Sequence, residues 1–209
     1  MANVALLQGK KVLVTGAARG LGRDFAQAIA EAGAEVVMAD ILSDLGQQEA
    51  QALQQQGLNV HAVTVDLANA DSIENAVAKS VDVLQGLDGL VNCAALATNV
   101  GGKNMIDYDP ELWDRVMNIN VKGTWLISKA CVPHLKQSAA GKIINVASDT
   151  ALWGAPNLMA YVASKGAILA MTRSMARELG QSNICVNTLS PGLTLVEATE
   201  YVPQERHDL

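Results

Sequence analysis

Lys11-Val-Leu-Val-Thr-Gly-Ala-Ala-Arg-Gly-Leu-Gly22 decides how the rest of the chain is read. Its first four residues form a short apolar run suited to a buried strand. Glycines follow at 16, 20 and 22, and a helical pattern through Phe25, Ile29 and Ala30 runs on to Gly33. Glycine lets the backbone turn tightly and approach a ligand closely, while the next helix N-terminus offers unpaired N–H groups to a pyrophosphate. Strand, glycine turn and helix in that order predict a dinucleotide cradle, with Gly16, Arg19, Gly20, Leu21 and Gly22 beside the cofactor. The spacing is G-x-x-x-G-x-G, not the commoner G-x-G-x-x-G.

The next apolar run, Glu35–Ala39, ends on Asp40, about twenty residues beyond the glycines. A carboxylate there binds the adenosine ribose diol and repels the extra phosphate of NADP, so NAD is the expected cofactor and NADP the lesser alternative. Two other readings compete. Asp40 is also placed to cap a helix, although Ser43 and Asp44 are rivals for that role, and Arg19 is a counter-signal because its guanidinium suits a 2′-phosphate.

Beyond Asp40 the same alternation continues. A polar amphipathic helix over Asp44–Gln56 stops at Gly57, and a strand over His61–Val65 ends on Asp66. A helix over Asp71–Leu84, capped by Asp71 or Ser72, leads to a strand at Gly89–Asn92. A long helical region follows over Pro110–Gln137, with apolar positions at Trp113, Val116, Met117 and Ile127. The fifth strand, Lys142–Ala147, runs into Ser148, and a helix over Tyr161–Gly180 precedes a sixth strand, Ile184–Leu189, ending at Ser190-Pro-Gly192. Such alternation predicts one α/β domain over residues 1–209, a doubly wound parallel sheet of Rossmann type covered by helices on both faces. Ligands in these sheets sit at the carboxyl ends of the strands, where Asp40, Asp66, Asn92, Ser148 and Pro191 all fall.

Chemistry is carried by Tyr161 and Lys165 in Tyr-Val-Ala-Ser-Lys, with Ser148 thirteen positions upstream. On a helix, i and i+4 share a face, so the ammonium can sit beside the phenol and favour its ionised form. A phenol tuned toward working pH is an acid/base catalyst.

With these residues in view, the chain resembles the short-chain dehydrogenase/reductase family over nearly its whole length. Thr15–Gly22 matches the family's T-G-x-x-x-G-x-G, and Ser148, Tyr161 and Lys165 match its Ser, Tyr and Lys. Asn92-Cys-Ala-Ala95 matches Asn-Asn-Ala-Gly imperfectly, with Cys93 and Ala95 as departures. The resemblance implies an oxidoreductase acting on CH–OH groups. It implies Asn120 in a proton relay behind Lys165, adenine contacts from Asp66 and the Leu67 backbone, and Asn92 near the adenine-side ribose. Ala94, Pro191 and Gly192 would line the cofactor cleft, as would Tyr161 and Lys165 themselves. The family's threonine after Pro-Gly falls at Val196 here, with Thr194 as the substitute. Members commonly assemble as homo-oligomers, tetramer or dimer, through the two long helices. They also continue through a covering segment, a helix and a seventh strand, so the resemblance implies that a C-terminal segment is lacking and that one sheet edge is left uncovered.

Asp149–Ala160 remains as substrate wall, and its Leu152, Trp153, Leu158 and Met159 favour a hydrophobic or cyclic secondary alcohol, including a diol, and its ketone. Trp153 and Leu158 could instead pack the loop or a subunit contact. An NADPH-dependent 3-oxoacyl-thioester reductase and a non-catalytic dinucleotide-binding regulator are the alternatives. Asp40 argues against the first, and the intact Ser-Tyr-Lys set against the second.

Composition narrows the field further. Half of the 209 residues are hydrophobic, enough for one substantial core, and the net charge is −6. Without a basic cluster, nucleic acid and anionic membranes are not expected partners; a small-molecule substrate is. No apolar stretch spans a bilayer, and no leader pattern opens the chain, so a cytoplasmic location is expected. Cys93, Cys131 and Cys185 read as reduced, buried thiols, and the scattered His61, His134 and His207 predict no metal site.

Overall fold

The computed structural model describes residues 5–194. Six parallel strands are joined by helices: β1 Lys11–Thr15, α1 Gly20–Glu31, β2 Glu35–Asp40, α2 Ser43–Gln55, β3 Val60–Thr64, α3 Ala70–Leu84 and β4 Gly89–Asn92. Then come α4 Pro110–Met117, a π-helical turn Asn118–Gly123, α5 Thr124–Leu135, β5 Gly141–Val146, α6 Thr150–Trp153, α7 Met159–Leu179 and β6 Ile184–Leu189. The strand order is β3-β2-β1-β4-β5-β6. The chain works outward from β1 in one direction and then, from β4, in the other, so a crevice opens between the loops that follow β1 and β4.

Alternation along each strand splits the core in two. Leu13, Val37, Leu90 and Ile143 face one way and pack with Ile73 of α3 and Ile127 and Cys131 of α5. Val12, Val14, Val36, Met38 and Val60 face the other and pack with Ala26 of α1 and Ala50 and Leu53 of α2. Full burial of such an aliphatic side chain contributes roughly 1.5–3 kcal/mol. On the second face the cover stops short: Phe25, Ala28, Ile29, Val91, Ile144 and Leu189 line an apolar hollow beside α1. Cys185, Asn187 and Leu189 of β6 are exposed there.

The structure corrects several local expectations. The helix expected over Pro110–Gln137 is interrupted by the π turn at Asn118–Gly123. Thr124 Oγ1 donates to the Asn120 carbonyl at 2.8 Å, four residues back across this turn. Gly123 admits the loop after β3, since a Cβ there would lie 2.7 Å from the Leu67 carbonyl oxygen. Asn69, not Asp71 or Ser72, caps α3 by accepting from the Ser72 N–H at 3.1 Å. Ser43 opens α2 without a side-chain cap on it. Among the three unpaired thiols only Cys131 is fully buried; Cys185 is exposed and Cys93 half-buried. Val196, and with it the expectation about the C-terminal segment, lies outside the described residues.

Candidate active site

Gly16 and Gly20 both adopt positive φ, +69° and +55°, a region open to glycine. A Cβ on Gly16 would stand 2.6 Å from the Ala94 Cα, and one on Gly22 would stand 2.0 Å from the Gly16 carbonyl oxygen. The glycine loop is thus pressed against the loop after β4 and against the start of α1. Thr15 ties these loops together: its hydroxyl accepts from the N–H groups of Cys93 and Ala94, both at 3.1 Å, and donates to the Val91 carbonyl. Arg19 is exposed at the N-cap of α1, whose first turn holds no acidic residue and no side-chain cap. Leu21 follows on the half-buried face. An uncapped helix start behind a cradle that side chains would fill is suited to an anionic phosphate group.

Asp40 ends β2 and braces the cradle. Its Oδ2 accepts from the Ala18 N–H at 3.0 Å and its Oδ1 from the Leu42 N–H at 3.0 Å. The carboxylate therefore links the glycine loop to the entry of α2, and it lines a small hollow with Ser43, Gly46, Ala62 and Thr64. Each oxygen keeps a lone pair for a diol. The residues present thus fit a dinucleotide on three counts: the glycine cradle, the uncapped helix start and the acidic rim. Asp66 lies at the neighbouring strand end, where its Oδ1 accepts from the Ala68 N–H at 2.8 Å, and Leu67 is buried against Gly123.

Asn92, at the end of β4, is buried, and its amide donates to Ser128 Oγ at 2.9 Å and to Asn145 Oδ1 at 2.8 Å. Asn145 in turn donates to Thr172 Oγ1 at 2.8 Å, so a polar chain joins α5, β4, β5 and α7 through the core. Asn120 is buried too: its Oδ1 accepts from the Leu96 N–H at 2.7 Å, and its Nδ2 donates to the Leu96 carbonyl and to Ser164 Oγ. With its amide so committed, Asn120 clamps the loop after β4 onto α7 one residue before Lys165.

The expected Ser, Tyr and Lys converge around the end of β5. Lys165 is 4% exposed, its Nζ donates to the Val146 carbonyl at 2.7 Å, and that nitrogen stands 5.6 Å from the centroid of the Tyr161 ring. Ser148 lies two residues past Val146, buried, with its Oγ accepting from the Thr150 hydroxyl at 2.9 Å and from the Thr150 N–H at 3.3 Å. Tyr161 is half-buried against Val100, Val116 and Ala160. Among the described residues no carboxylate pairs with Lys165. Burial pulls its ammonium down to about 8, partly offset by the nearby Cys93 thiol; burial in turn pushes that thiol up to about 11. At pH 7 the lysine is still mostly charged.

The loop after β6 closes the same end of the sheet. Asp149 N–H donates to the Pro191 carbonyl at 3.1 Å, and Gly192 and the half-buried Thr194 follow. Leu158 packs against the cluster around Val116, whereas Leu152 and Trp153, in α6 just after Ser148, are 70% and 61% exposed. Leu158 thus packs the loop, as one of its two readings expected, and Trp153 does not. Thr15, Asn145 and Thr150 were not singled out from sequence as site residues, because their partners become visible only once the strand ends are brought together.

A six-stranded parallel sheet with a glycine cradle at its switch point and a Ser-Tyr-Lys cluster beside it defines a dinucleotide-dependent oxidoreductase. The short chain dehydrogenase family model matches residues 10–207, and the chain belongs to that family, whose members act on CH–OH groups with NAD or NADP. A cyclopentanol dehydrogenase from Comamonas sp. is 35% identical over 92% of this chain and 76% of its own length. A 3-alpha-(or 20-beta)-hydroxysteroid dehydrogenase from Mycobacterium bovis is 36% identical over 95% of this chain and 74% of its own. The crystal structure of a 3-ketoacyl-(acyl-carrier-protein) reductase from Brucella melitensis complexed with NADH superposes with a TM-score of 0.90. It is 30% identical, and the match covers 97% of this chain and 83% of that one. Among the described residues no helix is long and apolar enough to cross a membrane.

Proposed function

We propose that this chain interconverts an apolar or cyclic secondary alcohol and its ketone, with NAD as the hydride acceptor and Ser148, Tyr161 and Lys165 as the catalytic residues. The observation that carries the proposal is Lys165, a buried ammonium without a carboxylate partner among the described residues, 5.6 Å from the centroid of the Tyr161 ring. Placing a lone charge there costs stability, and its return is negative charge held on the phenol oxygen. Tyr161 then takes the hydroxyl proton during oxidation and gives it back during reduction. Ser148 donates to the substrate oxygen and steadies its developing charge. A nicotinamide bound in the cleft supplies hydride acceptance and donation. Gly16, Gly20, Leu21 and Gly22 would hold its pyrophosphate, Asp40 its ribose, and Asp66 with Leu67 its adenine. Ala94, Pro191, Gly192 and Thr194 would line the nicotinamide side with Tyr161 and Lys165. The negative charge of Asp40 would favour a ribose diol over a 2′-phosphate and so NAD over NADP, while the exposed Arg19 is the residue through which NADP would be accommodated.

Exposed Leu152 and Trp153 supply an apolar wall, and cyclopentanol and hydroxysteroids, the substrates in the names of two relatives, are secondary alcohols on apolar cyclic molecules. We extend the proposal to a cytoplasmic homo-oligomer, consistent with three unpaired thiols and with Trp125 lying 48% exposed on α5. The test is a titration of the purified chain with NADH and NADPH, read by energy transfer from tryptophan, followed by oxidation of cyclopentanol. Preference for NADH with turnover supports the proposal. Preference for NADPH with turnover of a 3-oxoacyl thioester supports the reductase instead, and dinucleotide binding without any turnover supports a regulator.

A further inference from the structure

A serine hydroxyl has one proton to give and two lone pairs to receive with. At Ser148 both receiving positions are taken by one residue: Thr150 supplies its hydroxyl at 2.9 Å and its backbone N–H at 3.3 Å. With both lone pairs engaged, what the Ser148 hydroxyl has left to offer is its proton. Resting on the proposed role of Ser148, we infer that Thr150 is a positioning residue that fixes Ser148 as a hydrogen-bond donor toward the substrate oxygen.

Without Thr150, a hydroxyl on a single rotatable bond samples three staggered directions and is free to turn its lone pairs to the substrate. A carbonyl or alkoxide oxygen needs a donor, so a misdirected hydroxyl gives no stabilisation where charge develops. The local backbone supports the arrangement. Thr150 is the first residue of α6, the Ser148 carbonyl accepts from the Ala151 N–H at 3.3 Å, and the Asp149 N–H is held by Pro191. Ser148 and Thr150 are thereby fixed in one tight turn, and the Thr150 hydroxyl has no other partner among the described residues. The same geometry sets the ligand chemistry: the site is built for an acceptor and discriminates against an ammonium, which has no lone pair to receive the serine proton.

The experiment compares wild type with Thr150→Val, Thr150→Ser, Ser148→Ala and the double variant Ser148→Ala/Thr150→Val, using NAD and cyclopentanol as probes. NADH fluorescence serves as the check on folding. Thr150→Val is expected to lower kcat about tenfold with KM within about twofold, the signature of a contact made mainly in the transition state. Thr150→Ser, which keeps the donor, is expected to retain wild-type kcat. The double variant is expected to be no slower than Ser148→Ala alone, because Thr150 has nothing left to orient. Equal damage from Thr150→Val in both backgrounds, or loss in Thr150→Ser, overturns the positioning role while leaving Ser148 in place. A faster Thr150→Val also overturns it, since Ser148 would then have been donating to Thr150. If wild type does not oxidise cyclopentanol, or Ser148→Ala keeps the full rate, the proposed function fails first and the positioning role with it.

Discussion

Replacing Lys165 by methionine separates function from stability. Burial draws the ammonium from its ordinary 10.5 to about 8, so the folded chain sheds this proton more readily than the unfolded chain does. At roughly 1.4 kcal/mol per tenfold change, carrying that charge costs the fold about 3 kcal/mol at pH 7. The penalty is fully present below pH 8 and is relieved as pH rises from about 8 to 10.5, because only there does the unfolded state hold the extra proton. Against it stands the hydrogen bond to the Val146 carbonyl at 2.7 Å, worth roughly 1.5–3 kcal/mol for a charged donor. Lys165→Met removes both, so its stability at pH 7 lies close to that of wild type while turnover is lost. The slope with pH decides the matter. Between pH 7 and pH 9.5 wild type gains about 2 kcal/mol on the variant, measurable by urea denaturation at the two pH values. Parallel stability curves for the two proteins would refute the reasoning, since they would mean that Lys165 is not charged at a cost in the folded state.

Further expectations concern single substitutions. Tyr161→Phe abolishes alcohol oxidation and leaves NADH binding nearly intact by fluorescence titration; loss of both removes Tyr161 from its assigned role. Asp40→Ala releases the Ala18 and Leu42 N–H groups, lowers stability by roughly 1–3 kcal/mol in urea and moves cofactor preference toward NADPH. An unchanged NADH-to-NADPH ratio places discrimination elsewhere. Gly16→Ala forces an alanine to φ +69° with its Cβ 2.6 Å from the Ala94 Cα, costing at least about 1–2 kcal/mol and abolishing NADH binding. Retained binding would show that the two loops can part.

The layered sheet was legible because each strand and helix declares itself locally. Lys11–Val14 and Glu35–Ala39 are apolar runs bounded by turn residues, and the glycines at 16, 20 and 22 have no other economical use. Tyr161 and Lys165 were legible because helical spacing puts them on one face. The polar ties between elements were not. Thr15 meets Cys93 and Ala94 across nearly eighty residues, and Asn92 meets Asn145 across fifty-three, so only the parallel register of the strands brings them together. Asn120 reads as a relay residue by resemblance, yet its partners Leu96 and Ser164 come from a loop and a helix whose contact has no signature in either segment. The exposure of Cys185 follows from lying on the bare face of β6, whereas composition alone favours burial of cysteine.

The π turn at Asn118–Gly123 also acts as a phase shift. One residue of an α-helix advances the side-chain direction by about 100°, and a single residue accommodated in a wider turn inserts that rotation without ending the helix. Val116 before the turn can therefore face the loop cluster that backs Tyr161, while Ile127 and Cys131 after it face the main core. An uninterrupted α-helix of the same length through this region would keep one azimuth and could serve only one of those surfaces. Deleting one residue other than Asn120 from this turn would leave Val116 and Ile127 ten regular steps of about 100° apart, the same relative facing that the wide turn gives them now, so the helix would regain its regular winding with both surfaces still served.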